Sequence, residues 1–505
     1  VARPLRIGTR GSPLALAQAR LVAAALAANG DAAEFVTVKT RGDHDLATPL
    51  PAADADFFSA ELDAALLAGD VDACVHSLKD LPPRRPAGIA RAAMPRRANP
   101  RDVVVFAPDV DARLRSGATL RIGCCSERRR INVGDFLPAA LPAVGPPPRL
   151  EFHDLRGAVD QRLAALHRAA GDPAGLDAIV LALAGLERLG NDAGIRHLVE
   201  GLLAGTRLMV LPLDQCPAAA GQGNLVVECR SRDIATRERL VALHDPGAAA
   251  GWELERAALA DIDPDGAPGV GATAVPHAAL GLVCHVRGRH RGATVGQRRW
   301  NAPPRPATAR PFDGIGWQRL CTRRGAPAAL ATGPRPAIFV AYWHAAEYVA
   351  LPLDARLWTS GPASWRQLAA RGHWVEGCAD TLGFAGIVPT LATPVLQLPA
   401  LADWTAITYA SAVAGWGDSG IGQVLATYEL VPPSPGEALD ALRADARQAT
   451  HCYWSSIEQY RALADVLPAA AHHACGAGKT LASLHAAGAA AVPFPGHREW
   501  RAWLP

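Results

Sequence analysis

One unit recurs along this chain and limits what it can fold into. A short apolar run leads into a turn of small or polar residues, and the turn opens an Ala/Leu-rich stretch of helical length. Runs this short read as strands buried by covering helices, so the order β-α-β-α-β implies a parallel sheet and an α/β fold. The chain opens with a strand over Leu5 to Gly8, the turn Thr9-Arg10-Gly11-Ser12-Pro13 and a helix from Leu14 to Ala28. Ser12 suits the N-cap and Pro13 the first helical position. Backbone N–H groups then point into the turn beside Arg10, which outlines an anion site as readily as a simple helix cap. A second strand, Glu34 to Lys39, leads into Thr40-Arg41-Gly42-Asp43, and a helix follows from Phe58 to Leu67.

The third strand, Val71 to Val75, runs into His76-Ser77-Leu78-Lys79-Asp80-Leu81-Pro82. Pro82 and Pro83 forbid a helix there, so an acid and a base stand side by side at a strand's carboxyl end. Open α/β sheets bind ligands at that place, although a surface ion pair would look the same. Three later strands also end in arginine. Leu120 to Gly123 enters Cys124-Cys125-Ser126-Glu127-Arg128-Arg129-Arg130, Leu150 to His153 precedes Arg156 and Arg162, and Ala178 to Leu183 precedes Arg188. A solvated helix face explains one such arginine, while three at equivalent places suggest a convergent anion pocket.

Composition narrows the class. With 505 residues, half of them apolar, the chain can bury several cores. A formal net charge of +3 argues against a generic nucleic-acid binder. Lys39, Lys79 and Lys479 are the only lysines, so arginine, suited to carboxylate or phosphate, carries the remaining positive charge. The ten cysteines show neither metal-ligand spacing nor CxxC and read as free thiols, and no metal is expected. No apolar stretch has signal-peptide or membrane-spanning length, so a cytoplasmic location without a membrane partner is expected.

Residues 1 to 312 resemble hydroxymethylbilane synthase, also called porphobilinogen deaminase. The matching words are Ile7-Gly8-Thr9-Arg10-Gly11-Ser12-Pro13-Leu14-Ala15, His76 to Pro82, Arg128-Arg129, Leu155 to Leu163, Ala184 to Gly190, Gly221-Gln222-Gly223 and Glu255-Arg256-Ala257. The resemblance implies two doubly wound domains like those of periplasmic binding proteins, residues 1–100 with 207–240 and residues 101–206, plus a small α+β domain over 241–312. It also implies the reaction, in which four porphobilinogen units are condensed head to tail with loss of ammonia. By position, Arg10, Ser12, Lys79, Arg128, Arg129, Arg156, Arg162 and Arg188 would receive substrate carboxylates. Asp80 matches the aspartate that shuttles protons and steadies the pyrrole cations. The implied partner is a pyrrole or linear tetrapyrrole polycarboxylate.

Departures from that family are informative. Its dipyrromethane cofactor is held by a cysteine in a glycine-rich loop, and Gly266 stands there in Asp263-Pro264-Asp265-Gly266-Ala267-Pro268-Gly269. No covalently bound cofactor is expected at that position. The family's lysine-bearing flexible segment reads Ala53-Asp54-Ala55-Asp56-Phe57-Phe58-Ser59-Ala60-Glu61-Leu62, and Ala158 replaces a usual asparagine. Ordinary tetramerisation is therefore in doubt.

After a Pro/Arg-rich linker over 301–312, residues 313–505 resemble the divergent uroporphyrinogen-III synthase family, a two-lobed α/β fold. The strand–turn–helix unit appears at Ala337 to Ala341, at Leu357 to Ser364, at His451 to Ser456 and at Ala474 to Thr480. Gly476 to Thr480 lacks P-loop spacing. By position Tyr428 matches a catalytic tyrosine, and Ser455 and Thr480 match ligand-binding hydroxyls, with helix capping as the other reading of those two. Trp343, Trp358, Trp365, Trp374 and Trp404 could cover a pyrrole plane or pack a core. Four readings follow: a fused pair of tetrapyrrole-synthesis enzymes, a fusion whose front half only binds, a repurposed pyrrole enzyme of secondary metabolism, and a binding protein without chemistry.

Overall fold

The computed structural model describes residues 3–41, 56–82, 84–168, 172, 174–330 and 335–505. Gly42, Asp43, Ala53 to Ala55 and Pro83, all used in reading the sequence, lie outside them. The chain first lays down β1 (Leu5–Thr9), β2 (Ala33–Thr37), β3 (Ala73–Ser77) and β4 (Ile89–Ala93). It then crosses to β5 (Asp102–Phe106), β6 (Leu120–Cys124), β7 (Leu150–Asp154), β8 (Ala178–Ala182) and β9 (Arg207–Val210). It returns as β10 (Leu225–Arg230), so the first sheet has the order β2-β1-β3-β10-β4 and the second β7-β6-β8-β5-β9. In both sheets the leading strands run parallel, as β1 with β2 and β3, and β6 with β7 and β8. The returning β10 and the crossing β5 run antiparallel to their neighbours.

Local chemistry sets the element ends. Ser12 is extended and accepts the Ala15 N–H at 3.3 Å, and Pro13 begins the helix Pro13–Ala28. Ser126 caps Glu127–Ala140 by accepting from Arg129 N–H. Gly223, at φ +85°, brings its peptide so near Ala98 that a Cβ would sit 2.5 Å from that carbonyl oxygen. Only glycine fits this crossing between the two sheets.

A helix, Pro246–Ala260, packs on the antiparallel sheet of β11 (Val270–His277), β12 (Gly281–His290) and β13 (Ala293–Arg299). The chain continues through two further sheets. β14 (Pro311–Phe312) joins β21 (His451–Trp454), β22 (His472–Gly476) and β23 (Ala491–Phe494). Between these visits it builds a six-stranded sheet of β15 (Thr322–Gly325), β16 (Ala337–Val340), β17 (Arg356–Thr359), β18 (Val375–Cys378), β19 (Thr405–Tyr409) and β20 (Gln423–Val431), in the order β15-β20-β19-β16-β17-β18. Residues 311–312, read as linker, are thus an edge strand of a late sheet.

The late sheets are not an independent appendage. Trp365 is fully buried against Phe136, at 5.2 Å between ring centroids, and donates its indole N–H to the Ala140 carbonyl at 3.0 Å. Trp374 packs edge-on to Phe106 and donates to the Leu208 carbonyl. Trp358, Trp365, Trp374 and Trp404 all belong to cores that join residues from before and after position 312. Their large ring areas hold the halves together rather than facing a ligand. Among the described residues no helix is long and apolar enough to cross a membrane.

Candidate active site

The site begins where β3 ends. Leu78–Asp80 form one tight 3₁₀ turn, closed by the Leu81 N–H on the Leu78 carbonyl, so Lys79 and Asp80 project from the strand's carboxyl end. Asp80, Arg10 and Ser12 line one cavity of about 80 Å³, floored by Gln18, Phe58 and His76. The Arg10 guanidinium lies over the Phe58 ring at 4.5 Å. Gln18 donates to Ser77 Oγ at 2.8 Å, which ties the first helix to the turn that carries Asp80. The Asp80 carboxylate is exposed and takes no hydrogen bond or ion pair from the described residues.

Beneath the cavity His76 is buried beside Asp63 and Glu228, near enough for the three to share a cation. Arg85 already supplies the charge, bonding to Asp63 and, at 2.7 Å, to Glu228. Burial, with Arg85 adding to it, pushes the His76 pKa down to about 4, so the ring is neutral at physiological pH.

The facing wall comes from the second sheet. Asp102, at the start of the apolar strand β5, is wholly buried and bonds to Arg128 at 2.8 Å, to Arg129 at 2.7 Å and to the Gln222 amide at 2.9 Å. Burial alone would raise its pKa, but the two guanidiniums outweigh that and hold the carboxyl well below the usual range. Gln222 also accepts from the Lys79 ammonium at 3.3 Å, joining the two walls. Lys79 is solvent-accessible yet hemmed in by both walls, and the lost hydration lowers its pKa despite the pull of Asp80.

The expected anion-binding arginines therefore divide. Arg128, Arg129 and Arg188 are 5, 4 and 8 % exposed. Arg128 also serves the Pro217 carbonyl, and Arg188 the Gly223 carbonyl at 2.6 Å, where burial lowers its pKa to about 10. A guanidinium spent on a buried protein acceptor braces the cleft more than it attracts a ligand. Arg10, Arg156 and Arg162 are half-exposed. Arg162 donates to the Gly157 carbonyl at 2.7 Å and to Cys125 Sγ at 3.7 Å, while one Arg156 terminal nitrogen is buried without an acceptor. Asp102 and Gln222 were not singled out from sequence as site residues. An acid opening the otherwise apolar run Asp102-Val103-Val104-Val105-Phe106 was the available signal.

Gly266 lies in the turn closed by its own N–H on the Asp263 carbonyl, at φ +124°, and nothing within 4 Å would meet a Cβ there. The turn carries no thiol. Cys284, on β12, is buried and its pKa is pushed up to about 12. A thioether-linked cofactor does not fit the residues of this turn. A separate cavity of about 1130 Å³ opens at the junction with the late sheets, past Arg97, Arg101, Glu187 and Thr390. Arg97 pairs there with Glu255, and Arg101 with Asp380.

In the late sheets Tyr428 is 1 % exposed and stacks on Tyr348 at 5.5 Å. Burial raises its hydroxyl pKa. Ser455 follows β21, where its hydroxyl donates to Gln459, and Thr480 donates to the Ser455 carbonyl at 3.3 Å. The helix cap is Ser456 rather than Ser455. Beside Thr480, the Lys479 amine is buried without a hydrogen-bond acceptor, 2.9 Å from the centre of the Trp416 ring. Desolvation lowers its pKa to about 7. Between that value and the ordinary 10.5 the unfolded chain holds the extra proton, so stability rises with pH across the window and is lost as pH falls. Lys479→Met should flatten this dependence and raise stability near neutral pH by ~1–2 kcal/mol, the indole contact offsetting part of the desolvation. Urea unfolding of both chains near neutral pH and at about pH 9.5 tests this; parallel pH profiles would refute it.

Two α/β sheets that set an acid and a braced group of arginines after their strands define the class, an α/β protein with its candidate site at strand carboxyl ends. Within that class the chain belongs to the porphobilinogen deaminase family. The family model described as porphobilinogen deaminase, dipyromethane cofactor binding domain, matches residues 5–238. The porphobilinogen deaminase of Mycobacterium tuberculosis is 40% identical over 277 residues, covering 54% of this chain and 78% of that protein. That of Nocardia farcinica is 40% identical over 272 residues, with 54% and 70% covered. Among solved structures, a periplasmic substrate-binding protein from Coxiella burnetii aligns over 52% of this chain and 98% of its own, at 16% identity and TM-score 0.26.

Proposed function

We propose that the cleft between the first two sheets condenses porphobilinogen into a linear tetrapyrrole, releasing one ammonia per unit, as part of tetrapyrrole biosynthesis. The single observation carrying this reading is the cavity shared by Asp80, Arg10 and Ser12 at the carboxyl end of β3. When ammonia leaves, the substrate's methylene becomes part of an electron-poor pyrrole cation. A carboxylate held beside the reacting carbon lowers the energy of that cation. Asp80 is free of competing ion pairs and suits the task. Arg10, Ser12, Lys79, Arg156 and Arg162 receive the acetate and propionate carboxylates of the rings. Arg128, Arg129 and Arg188 hold the wall in shape.

The late two-sheet region acts, in this reading, as a uroporphyrinogen-III synthase that closes the linear product with inversion of the last ring. Ser455, exposed after β21, and Thr480 beside it support it as hydroxyls at strand ends, while Tyr428, 1 % exposed within a core, supplies no group to a ligand. The purified full chain should consume porphobilinogen and yield uroporphyrinogen III. Formation of the I isomer alone would remove the cyclising half of the proposal, and unconsumed porphobilinogen would remove the first half.

A further inference from the structure

Resting on that reading, we propose that Cys125 is the thiol that carries the growing pyrrole chain, in place of any anchor in the turn around Gly266. Cys125 follows β6 directly and is half-buried on the cleft's second wall. Its Sγ receives the Arg129 guanidinium at 3.4 Å and the Arg162 guanidinium at 3.7 Å. Lys79 approaches from the opposite wall, bringing Cys125 to the turn that carries Asp80. Burial works to raise the thiol's pKa, but these three cations outweigh it, and the net displacement is downward. Low-pKa, partly exposed thiols in electropositive surroundings are the reactive ones.

The same wall retains hydrogen-bonding capacity that the protein leaves unused. Arg129 is 4 % exposed, yet its Nε–H is buried without an acceptor, as is one terminal nitrogen of Arg156. The Arg129 guanidinium itself touches the Cys125 sulfur, so its unsatisfied group borders the thiol. Buried donors without partners are costly. A carboxylate on a pyrrole attached at Cys125 would supply the missing acceptor.

Eight of the ten cysteines are buried, and Cys321, the other half-buried one, lies beyond residue 312. The turn at Gly266 offers neither a sulfur nor surrounding atoms.

The step balances without a further reagent. The bond from the aminomethyl carbon to nitrogen breaks, ammonia departs with the thiol's proton, and a bond from Sγ to that carbon forms. No oxidation state changes. Asp80 steadies the cationic methylene between the two events, and later units add to the free end of the tethered pyrrole.

The full chain treated with porphobilinogen should gain, by intact mass after denaturation, whole pyrrole units, each porphobilinogen less ammonia. Peptide mapping should place them on Cys125. Cys125→Ala should lose the adduct completely, and Cys124→Ala should keep it. Independently of any variant's folding, parent Cys125 should react with iodoacetamide at neutral pH at least about tenfold faster than an ordinary thiol and should be protected after porphobilinogen. An adduct that survives Cys125→Ala overturns the inference. So does porphobilinogen consumption with Cys125 unmodified, an outcome that leaves the deaminase reading standing. Absence of both consumption and adduct overturns the two together.

Discussion

Asp80→Asn leaves the fold intact and slows porphobilinogen consumption by about 10²- to 10⁴-fold. The two expectations come from the same observation. Asp80 lies at the exposed end of the Leu78–Asp80 turn, and no described residue bonds to its carboxylate. The nearly isosteric amide costs no buried contact, so stability should change by less than about 0.5 kcal/mol. The amide cannot exchange a proton near neutral pH or balance a pyrrole cation. Lys79 would lose the neighbour that draws its proton more tightly, so its pKa should fall further. Porphobilinogen consumption and thermal melting, measured on one preparation, separate the two effects. Activity within tenfold of the parent would show that the cation is stabilised elsewhere.

Asp102→Ala should be the most destabilising single change in the cleft, costing about 3–5 kcal/mol, the range found when one partner of a buried ion pair is removed. The carboxylate serves Arg128, Arg129 and Gln222 at once, and its loss leaves two buried guanidiniums facing each other without a counter-charge. Because Gln222 also meets Lys79, the disturbance reaches the turn that bears Asp80. The pH dependence has a definite sign. Folding depresses the Asp102 pKa below its ordinary 3.8, so its contribution is complete above that value and is lost as pH falls through the lower folded-state value. Urea unfolding of the parent and Asp102→Ala chains at neutral pH measures the cost. A difference under about 1 kcal/mol would mean that water enters and solvates the arginines.

Local regularities in the chain determine much of this protein. The strand–turn–helix units, the Ser12 cap with Pro13 behind it, and the placing of Lys79 and Asp80 after β3 all follow from neighbours within a few positions, because capping, proline geometry and apolar runs act at short range. The arginines at strand ends were legible as a set, for the same reason. Their individual tasks were not. Arg128 meets an aspartate 26 positions earlier, and Arg188 meets a carbonyl 35 positions later. Only the folded chain brings those acceptors within bonding distance, so only tertiary structure separates guanidiniums spent on buried acceptors from those that stay half-exposed. Cys125 read as one of ten free thiols until Arg129, Arg162 and Lys79 converged on it from three elements. The tryptophans beyond residue 312 read as large apolar side chains, and the partners that bury them, Phe136 for Trp365 and Phe106 for Trp374, lie in the other half of the chain. Sequence determines which groups are available and which way each strand end points; packing decides which charges are neutralised from afar and which face the cleft.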